Sequence, residues 1–441
     1  MTNKYIYLVF ALLLAMLYFA VPHYYNLKFS DDSILYDGIA KAITKGESNI
    51  STPGYFEDGN DIGQTVMPGY PAIIAVVYSM LGTNAVNVIV LQIFVSLVAI
   101  WVFFLISNEI FSRYWAIGYT FFYAAYVIQW SYSLLLLIES FTISILIFSL
   151  YYLIKFIKTN KLSYFVAYSF LFGLLICLNN RFIVHFGFVG LYFLFNSLRS
   201  IKLVDFKKVL TFGLIIIAIL TPWHIRQYQH WGKFVIFTPE RTANVNQKTT
   251  TQGYSEKKAY YGYVPGYDTV INLYMTQYLT KQFRKESREY IESKFTLQKY
   301  NELKDNYKSF GKWKEFKSRA WGFFEVIRID YRFGFAGDMR IAEPSFYDKP
   351  TSPLFLFDLV DFALLGLAFL GFIPAIYFSY LRANIFIQIL LLYLIAHWLL
   401  HSYVGYLPRY RITIMPVIFL IGSYGINATI ELFRNKLNSK L

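Results

Sequence analysis

Residues 85–107 read AVNVIVLQIFVSLVAIWVFFLIS and contain no charged side chain. A run of about 17–25 mostly apolar residues is long enough to cross the roughly 30 Å hydrocarbon core of a bilayer as a helix. Similar runs recur along the chain. We predict ten transmembrane spans, near residues 5–21, 85–107, 114–132, 134–154, 163–179, 182–198, 209–225, 354–380, 385–402 and 411–432.

The composition of the whole chain agrees with this reading. Of its 441 residues, 56% are hydrophobic, 20% are aromatic and 15% are charged, whereas soluble domains are about 45–50% apolar and about 25% charged. These values exclude a soluble enzyme, a disordered chain and a fibrous repeat. The sequence therefore predicts an all-α polytopic membrane protein of about ten transmembrane helices.

The net charge of +14 is distributed in short basic clusters between apolar runs, which is typical of cytoplasmic loops and argues against nucleic acid as a partner. The run Pro71–Leu81 is too short to span, so we interpret it as an interfacial or re-entrant helix. With that choice, the clusters at Lys155, Arg199, Arg382 and Arg434 all face the cytoplasm. The prediction is that both termini are cytoplasmic.

This topology divides the chain into three parts. Residues 1–225 form an N-terminal transmembrane module that includes an amphipathic first outer loop, 22–84. Residues 226–353 form an extracytoplasmic domain, and residues 354–441 form the C-terminal helices. The charges and aromatics of the outer domain suit either amphipathic helices resting on the membrane or an acceptor-binding module. The first apolar run could instead be a signal peptide, but no clear cleavage site follows it, and we expect it to be retained.

Ionisable residues in or beside spans are costly to keep there, so they are candidates for function. Asp31 and Asp32 begin a predicted amphipathic helix after the first span, where helix capping is the alternative explanation. Glu139 is predicted to lie about one turn into the fourth span. The other ionisable residues near the predicted outer face are Arg181, His224, Arg226, His401, Arg409 and Arg411.

The arginines among these residues suit phosphate, because a guanidinium binds two phosphate oxygens at once and stays charged at physiological pH. They could instead anchor the spans or pair with the acids. His397 and His401 are spaced like a metal-binding pair on a helix. No third ligand is evident, so we favour buried, hydrogen-bonded histidines. Cys177 is the single cysteine and cannot form an internal disulfide.

Taken in order, these features resemble the GT-C membrane glycosyltransferases that use polyprenyl-phosphate sugars, above all the branch of protein O-mannosyltransferases and lipid A aminoarabinose transferases. The resemblance covers nearly the whole chain except about 245–350. The matching segments are DDSILYDGIA at 31–40, MPGYP at 67–71, Glu139-Ser140, PWHIRQY at 222–228, GKFV at 232–235, RYRI at 409–412 and Met415-Pro416.

The resemblance implies roles for particular residues. Asp31 would be the base that takes the proton of the acceptor hydroxyl, and Asp32 would orient the acceptor or support the base. Glu139 would help to shape the pocket. Arg409 and Arg411 would lie near the lipid-linked phosphate.

One segment departs from the family pattern. Family members often carry a basic residue just before the proline-containing turn, but residues 63–67 read GQTVM. Either Arg181 or Arg226 takes over the phosphate contact in this interpretation, or the chain uses a different donor. We assign catalysis to Asp31, Asp32 and Glu139, and substrate binding to Tyr36, Gln64, Tyr70, Arg181, His224, Arg226, His401, Arg409 and Arg411.

The sequence thus predicts an inverting glycosyltransferase that moves a sugar from a polyprenyl-phosphate donor to a glycan, lipid or protein acceptor at the extracytoplasmic face of the membrane. No metal site or required cofactor is expected, although a divalent cation is compatible with the chemistry. The abundance of Lys, Asn, Ile, Tyr and Phe is typical of AT-rich bacterial genomes, which favours a bacterial plasma membrane and an undecaprenyl carrier. The alternatives are a transporter or lipid-linked sugar flippase, and a non-catalytic assembly subunit.

Overall fold

A computed structural model of the protein describes residues 31–46, 67–126, 132–200, 203–231, 363–364, 366–404 and 411–438. Within those ranges every regular element is helical and there is no strand, which confirms the predicted all-α fold. The predicted first span, 5–21, and the outer domain between residues 232 and 353 lie outside the described residues.

The helices are numbered in chain order. They are α1 Asp31–Thr44, α2 Gly69–Leu81, α3 Ala85–Ile110, α4 Arg113–Ala124, α5 Glu139–Thr159, α6 Leu162–Leu178, α7 Phe182–Ser200, α8 Leu203–Trp231, α9 Phe372–Leu381, α10 Ile385–Val404 and α11 Met415–Asn438, with a 3-10 helix at Tyr132–Leu134.

Most of these helices coincide with predicted spans. By length and composition, α3, α5, the Lys207–Arg226 part of α8, and α11 can each cross a membrane. Shorter apolar helices occupy other predicted spans and the 69–81 run. Because such strongly apolar helices need a lipid environment or each other, the described residues form the core of a polytopic membrane protein.

Two predicted boundaries are wrong. The third predicted span ends early, because α4 stops at Ala124, and the fourth starts late, because α5 begins at Glu139. The side chain of Gln92 on α3 explains part of the difference. Its Nε2 donates to the carbonyl oxygens of Ser133 (3.2 Å) and Leu135 (2.7 Å). These bonds hold the segment as a turn against α3 instead of as the first turns of α5.

Contacts between α3 and α5 show that these two helices are antiparallel. The hydroxyl oxygens of Ser96, in the middle of α3, and Ser140, at the start of α5, are 3.0 Å apart. Near the ends of both helices, Lys155 donates to the Glu109 carboxylate at 2.5 Å. The start of α5 therefore lies level with the middle of α3 and points toward the end of the bundle where α3 begins.

The remaining helices follow the same alternation. Gly69 at the start of α2 lies against Cys177 at the end of α6. His185 near the start of α7 faces His397 near the end of α10, with ring centroids 5.3 Å apart. We call this end of the bundle the site end; it gathers the starts of α2, α3, α5 and α7 and the ends of α6 and α10.

Basic residues collect at the opposite end, which we call the basic end. There Lys208 donates to the Asn160 side chain at 2.9 Å, and Arg382 pairs with Glu431 at 2.9 Å. By the positive-inside rule this end is expected to face the cytoplasm. The basic residues at this end include Lys155, Lys158, Lys161, Lys207, Lys208 and Arg382.

Small residues bring α9 and α11 into backbone contact. A Cβ atom placed on Gly425 would collide with the carbonyl group of Gly371, and one on Gly422 would collide with the carbonyl of Ala368. Close approach of this kind lets helices pack by dispersion in lipid, where apolar burial alone gives no drive for association. The two glycines of α11 therefore fix the C-terminal helices together.

We predict that Gly425→Ala destabilises the protein by about 1–3 kcal/mol, because overpacking forces the two backbones apart. Gly118→Ala on α4 is the matched control, because nothing lies within 4 Å of a Cβ placed there. Thermal unfolding in detergent, followed by size-exclusion chromatography, checks both variants. Equal unfolding temperatures for the two would contradict the packing argument.

Candidate active site

Helix α1 carries the two predicted catalytic acids in its first turn. It begins at Asp31, as predicted, and acidic residues are favourable there because of the helix dipole. The side chains of Asp31 and Asp32 lie outside the part of the chain that the structure describes. The structure does describe the helix that carries them and the way in which this helix packs on α2.

Two tyrosines form the first contact between α1 and α2. The ring of Tyr36, one turn after Asp32, meets the ring of Tyr70 edge-on, with centroids 4.9 Å apart and an angle of 89° between the planes. Ile39 and Ala40 on the next turn are also buried. The predicted amphipathic helix is confirmed, with an apolar face that packs in part on α2.

Tyr70 is fully buried and is held by Gln92. Its hydroxyl donates to Gln92 Oε1 at 2.5 Å, while Gln92 Nε2 donates to the carbonyls that precede α5. One amide, itself 0% exposed, thus joins α2, α3 and the turn before Glu139. A buried polar group with all these bonds is strongly oriented, because losing any partner leaves an unsatisfied group in an apolar surrounding.

Glu139 lies beside this group of residues. It is the first residue of α5 rather than one turn inside a span, which corrects the prediction, and it is 4% exposed. Burial raises the pKa of Tyr70, and electrostatic interactions with Tyr36 and Glu139 raise it further. The ring of Tyr70 also lies 6.0 Å from that of Phe141, two residues after Glu139, so the start of α5 lies beside the tyrosine on which α1 packs.

The end of α6 closes the other side of α2. A Cβ atom on Gly69 would lie 2.7 Å from the carbonyl oxygen of Cys177, so only glycine allows this approach. Two residues further along, the Asn179 side chain accepts from the backbone N–H of Arg181 at 3.2 Å. Arg181 is half-buried and follows this contact within one turn, just before α7.

Other predicted cationic residues also lie at the site end. Arg226 stacks over the ring of Trp223, 5.3 Å from its centroid, and His224 is half-buried beside them on α8. Arg411, which precedes α11, is 2% exposed. A buried guanidinium in an apolar bundle is costly, which marks it as a functional candidate. Gln64, Arg409 and the side chain of His401 lie outside the described residues.

A buried polar strip that the sequence did not predict runs down the bundle below Arg181. His185 on α7 faces His397 on α10, and both are almost completely buried. One turn deeper, the hydroxyl oxygens of Tyr393 and Tyr168 are 3.0 Å apart. The burial of His397 is as predicted. No group of three or more metal-ligating side chains occurs among the described residues.

The structure thus brings Tyr36, Tyr70 and the start of α5 at Glu139 together, and it places Arg181, His224, Arg226 and Arg411 at helix ends on the same end of the bundle. Sequence reasoning missed Gln92 and His185. The available signal was a polar residue within an apolar run, which in a membrane normally needs an internal partner.

We predict that Gln92→Leu destabilises the protein more than Tyr70→Phe does. The first change removes the bonds of Gln92 to the Tyr70 hydroxyl and to two carbonyls, of which the Leu135 carbonyl keeps its bond from the backbone N–H of Leu137. Each buried group left unsatisfied costs about 1–3 kcal/mol, whereas the second change removes one hydrogen bond. Thermal unfolding of both variants and of the double variant checks the order. A Gln92→Leu variant as stable as wild type would show that the amide does not hold these segments together.

Comparisons with known proteins agree with this architecture. Residues 65–225 match the family model described as dolichyl-phosphate-mannose-protein mannosyltransferase. No curated protein matches the chain in sequence.

Solved structures of ArnT from Cupriavidus metallidurans match over nearly the whole chain. The structure bound to undecaprenyl phosphate aligns with a TM-score of 0.50 and 10% identity, covering 97% of this chain and 61% of that chain. The apo structure aligns with a TM-score of 0.39 and 12% identity, covering 95% of this chain and 76% of that one. The chain thus spans about three fifths of the length of the ligand-bound ArnT. The predicted resemblance is confirmed: this chain has the GT-C type of membrane fold seen in ArnT, and its residues 65–225 match the mannosyltransferase family model.

Proposed function

We propose that this protein is an inverting glycosyltransferase that takes a sugar from a polyprenyl-phosphate donor. The observation that carries the proposal is the packing of α1. The helix that begins with Asp31 and Asp32 packs through Tyr36 on Tyr70, whose ring lies 6.0 Å from that of Phe141, two residues after Glu139. Two acid-bearing segments about 100 positions apart in sequence thereby lie at one end of a membrane bundle. The family match over 65–225 and the ArnT-like fold support the same reaction class.

The proposed reaction is a single displacement. Asp31 takes the proton of an acceptor hydroxyl, and the acceptor oxygen bonds to the anomeric carbon from the face opposite the phosphate. The bond between that carbon and the phosphate oxygen breaks, and polyprenyl phosphate leaves with the electron pair. General-base help is worth about 10²–10⁴-fold. Asp32 orients the acceptor, and Glu139 shapes the pocket.

The arginines of the site end supply the second requirement, which is stabilisation of the leaving phosphate. Arg181, Arg226 and Arg411 all lie at this end, and Arg409, two residues before Arg411 in sequence, is a further candidate. Charge-assisted bonds from a guanidinium to phosphate are among the stronger hydrogen bonds in proteins. Because Gln64 offers no positive charge before α2, the phosphate contact is assigned to these arginines. No metal ion is required in this scheme.

The orientation and location follow from the same reasoning. The site end is opposite the basic end, so we place the site at the extracytoplasmic face and both termini in the cytoplasm of a bacterial plasma membrane. The acceptor is a glycan, lipid or protein that presents a hydroxyl group at that face.

A polytopic transporter or lipid-linked sugar flippase is the second candidate. The His185–His397 and Tyr168–Tyr393 pairs favour it, since transporters place polar groups within the bundle. The candidate acids and arginines, however, lie at one end. Purified protein in vesicles distinguishes the two: a transferase consumes labelled donor without a gradient, and a transporter moves it unchanged.

We expect Asp31→Asn to abolish sugar transfer while the protein stays folded and membrane-inserted, because the amide cannot take a proton. Asp205→Asn, in the first turn of α8 away from the site end, is the matched control and should retain activity. The measurement is transfer of a radiolabelled sugar from a polyprenyl-phosphate donor. Full transfer by the Asp31 variant would refute its assignment as the base.

We expect Arg181→Gln to weaken binding of undecaprenyl phosphate by about 10-fold or more, because a hydrogen bond to a charged group is worth roughly 1.5–3 kcal/mol. Arg113→Gln, on an exposed arginine at the other end of the bundle, is the control and should bind like wild type. Titration of detergent-solubilised protein with the lipid measures both. Unchanged affinity in the Arg181 variant would remove this residue from the phosphate contact.

A further inference from the structure

A third acid on α1 has no part in the proposed chemistry. Asp37 lies one and a half turns after Asp31 and is largely buried, with 14% of its side chain exposed. Each of its oxygens has one partner: the Tyr78 hydroxyl donates to Oδ1 at 2.5 Å, and Lys41 Nζ donates to Oδ2 at 2.7 Å. The carboxylate thus joins α1 to the last turns of α2.

The two partners of Asp37 differ in their surroundings. Tyr78 is 3% exposed, and burial together with the hydrogen bond to Asp37 raises the pKa of Tyr78. The phenol therefore remains a neutral donor at physiological pH. Lys41 is on the same helix as Asp37, and 44% of its side chain is exposed. An exposed pair within one helix contributes little, so the bond to Tyr78 is the informative one.

Together with the tyrosine contact described above, this bond gives α1 two attachment points on α2. Tyr36 meets Tyr70 at the start of α2, and Asp37 meets Tyr78 two turns later, about 12 Å further along the helix axis. Attachment at two separated points restricts both the tilt of α1 and its rotation about its own axis.

The apolar contacts of α1 do not restrict rotation to the same degree. Packing of Ile39 and Ala40 is largely non-directional, whereas a hydrogen bond weakens steeply when its angle departs from linear. A rotation of α1 by one residue position turns every side chain by about 100°. The first turn, with Asp31 and Asp32, would move with the rest of the helix.

We propose that Asp37, through its hydrogen bond with Tyr78, is a positioning residue that sets the rotation of α1 and so places the acid pair in its first turn. This inference rests on the proposed function for the role of the acids. The bond itself requires no substrate. The helix is accordingly fixed before acceptor and donor bind.

The test compares a variant that breaks the bond, a variant that keeps it and two variants that leave both of its partners unchanged. Tyr78→Phe removes the hydroxyl and keeps the ring, and Asp37→Asn keeps an oxygen that accepts from Tyr78. Lys41→Met removes only the exposed partner. Tyr114→Phe, on a tyrosine that is 79% exposed, is the matched control for loss of a hydroxyl group.

Two readouts are made on purified full-length protein: hydrogen–deuterium exchange over residues 31–46, and the kcat and KM of sugar transfer from the polyprenyl-phosphate donor. For Tyr78→Phe we expect faster exchange and a fall in kcat of up to about 100-fold, the cost of a small misplacement of reacting groups, with the KM for the donor little changed. Asp37→Asn should recover most of both, and the Lys41 and Tyr114 variants should match wild type.

Wild-type exchange and kcat in Tyr78→Phe would overturn the proposal. So would a loss of kcat accompanied by an equal loss of undecaprenyl phosphate affinity and of unfolding temperature, since that is general destabilisation. If the wild-type protein transfers no sugar, the proposed function fails. The exchange measurement then still decides whether the bond fixes α1, because faster exchange in Tyr78→Phe alone supports it and unchanged exchange refutes it.

Discussion

The buried amide of Gln92 is the interaction on which the site end depends. Burying a polar group without a hydrogen-bond partner inside a membrane bundle is costly, so the hydrogen bonds of Gln92 fix the orientation of its side chain. Its oxygen accepts from Tyr70 and its nitrogen donates to the carbonyls of Ser133 and Leu135. These bonds place the tyrosine that supports α1, and they stop α5 from starting before Glu139. Gln92 therefore positions both the tyrosine on which α1 packs and the first residue of α5, Glu139.

The separation of charge along the bundle has a corresponding physical origin. At the basic end, lysines pair with Glu109 and reach Asn160, where headgroups and water can solvate them. At the site end, Glu139 and Arg411 are buried instead. Membrane orientation explains the first group but gives no reason to bury the second. The buried charges are the ones that a reaction with a lipid phosphate and a hydroxyl acceptor would use.

Hydropathy and charge were sufficient for much of the fold. The apolar run at 85–107 predicted α3 closely, and the Asp31-Asp32 pair marked the start of α1. The start of α5 at Glu139 was not predictable from the sequence. It depends on which carbonyl groups Gln92 bonds to, and these lie about 40 residues further along the chain. The contact between His185 and His397 likewise depends on how α7 packs on α10, and no local sequence pattern encodes that packing. Asp37 was visible as part of a motif, but only the structure shows that it bonds to Tyr78.

We propose that the site end binds a lipid-linked phosphate for sugar transfer. The decisive measurement is an experimental structure of the full-length protein with undecaprenyl phosphate. We expect phosphate density at the site end, within hydrogen-bonding distance of at least one of Arg181, Arg226, Arg409 and Arg411 and on the same side of the bundle as Asp31. Phosphate density at the basic end, beside Lys158 and Lys208, would contradict it.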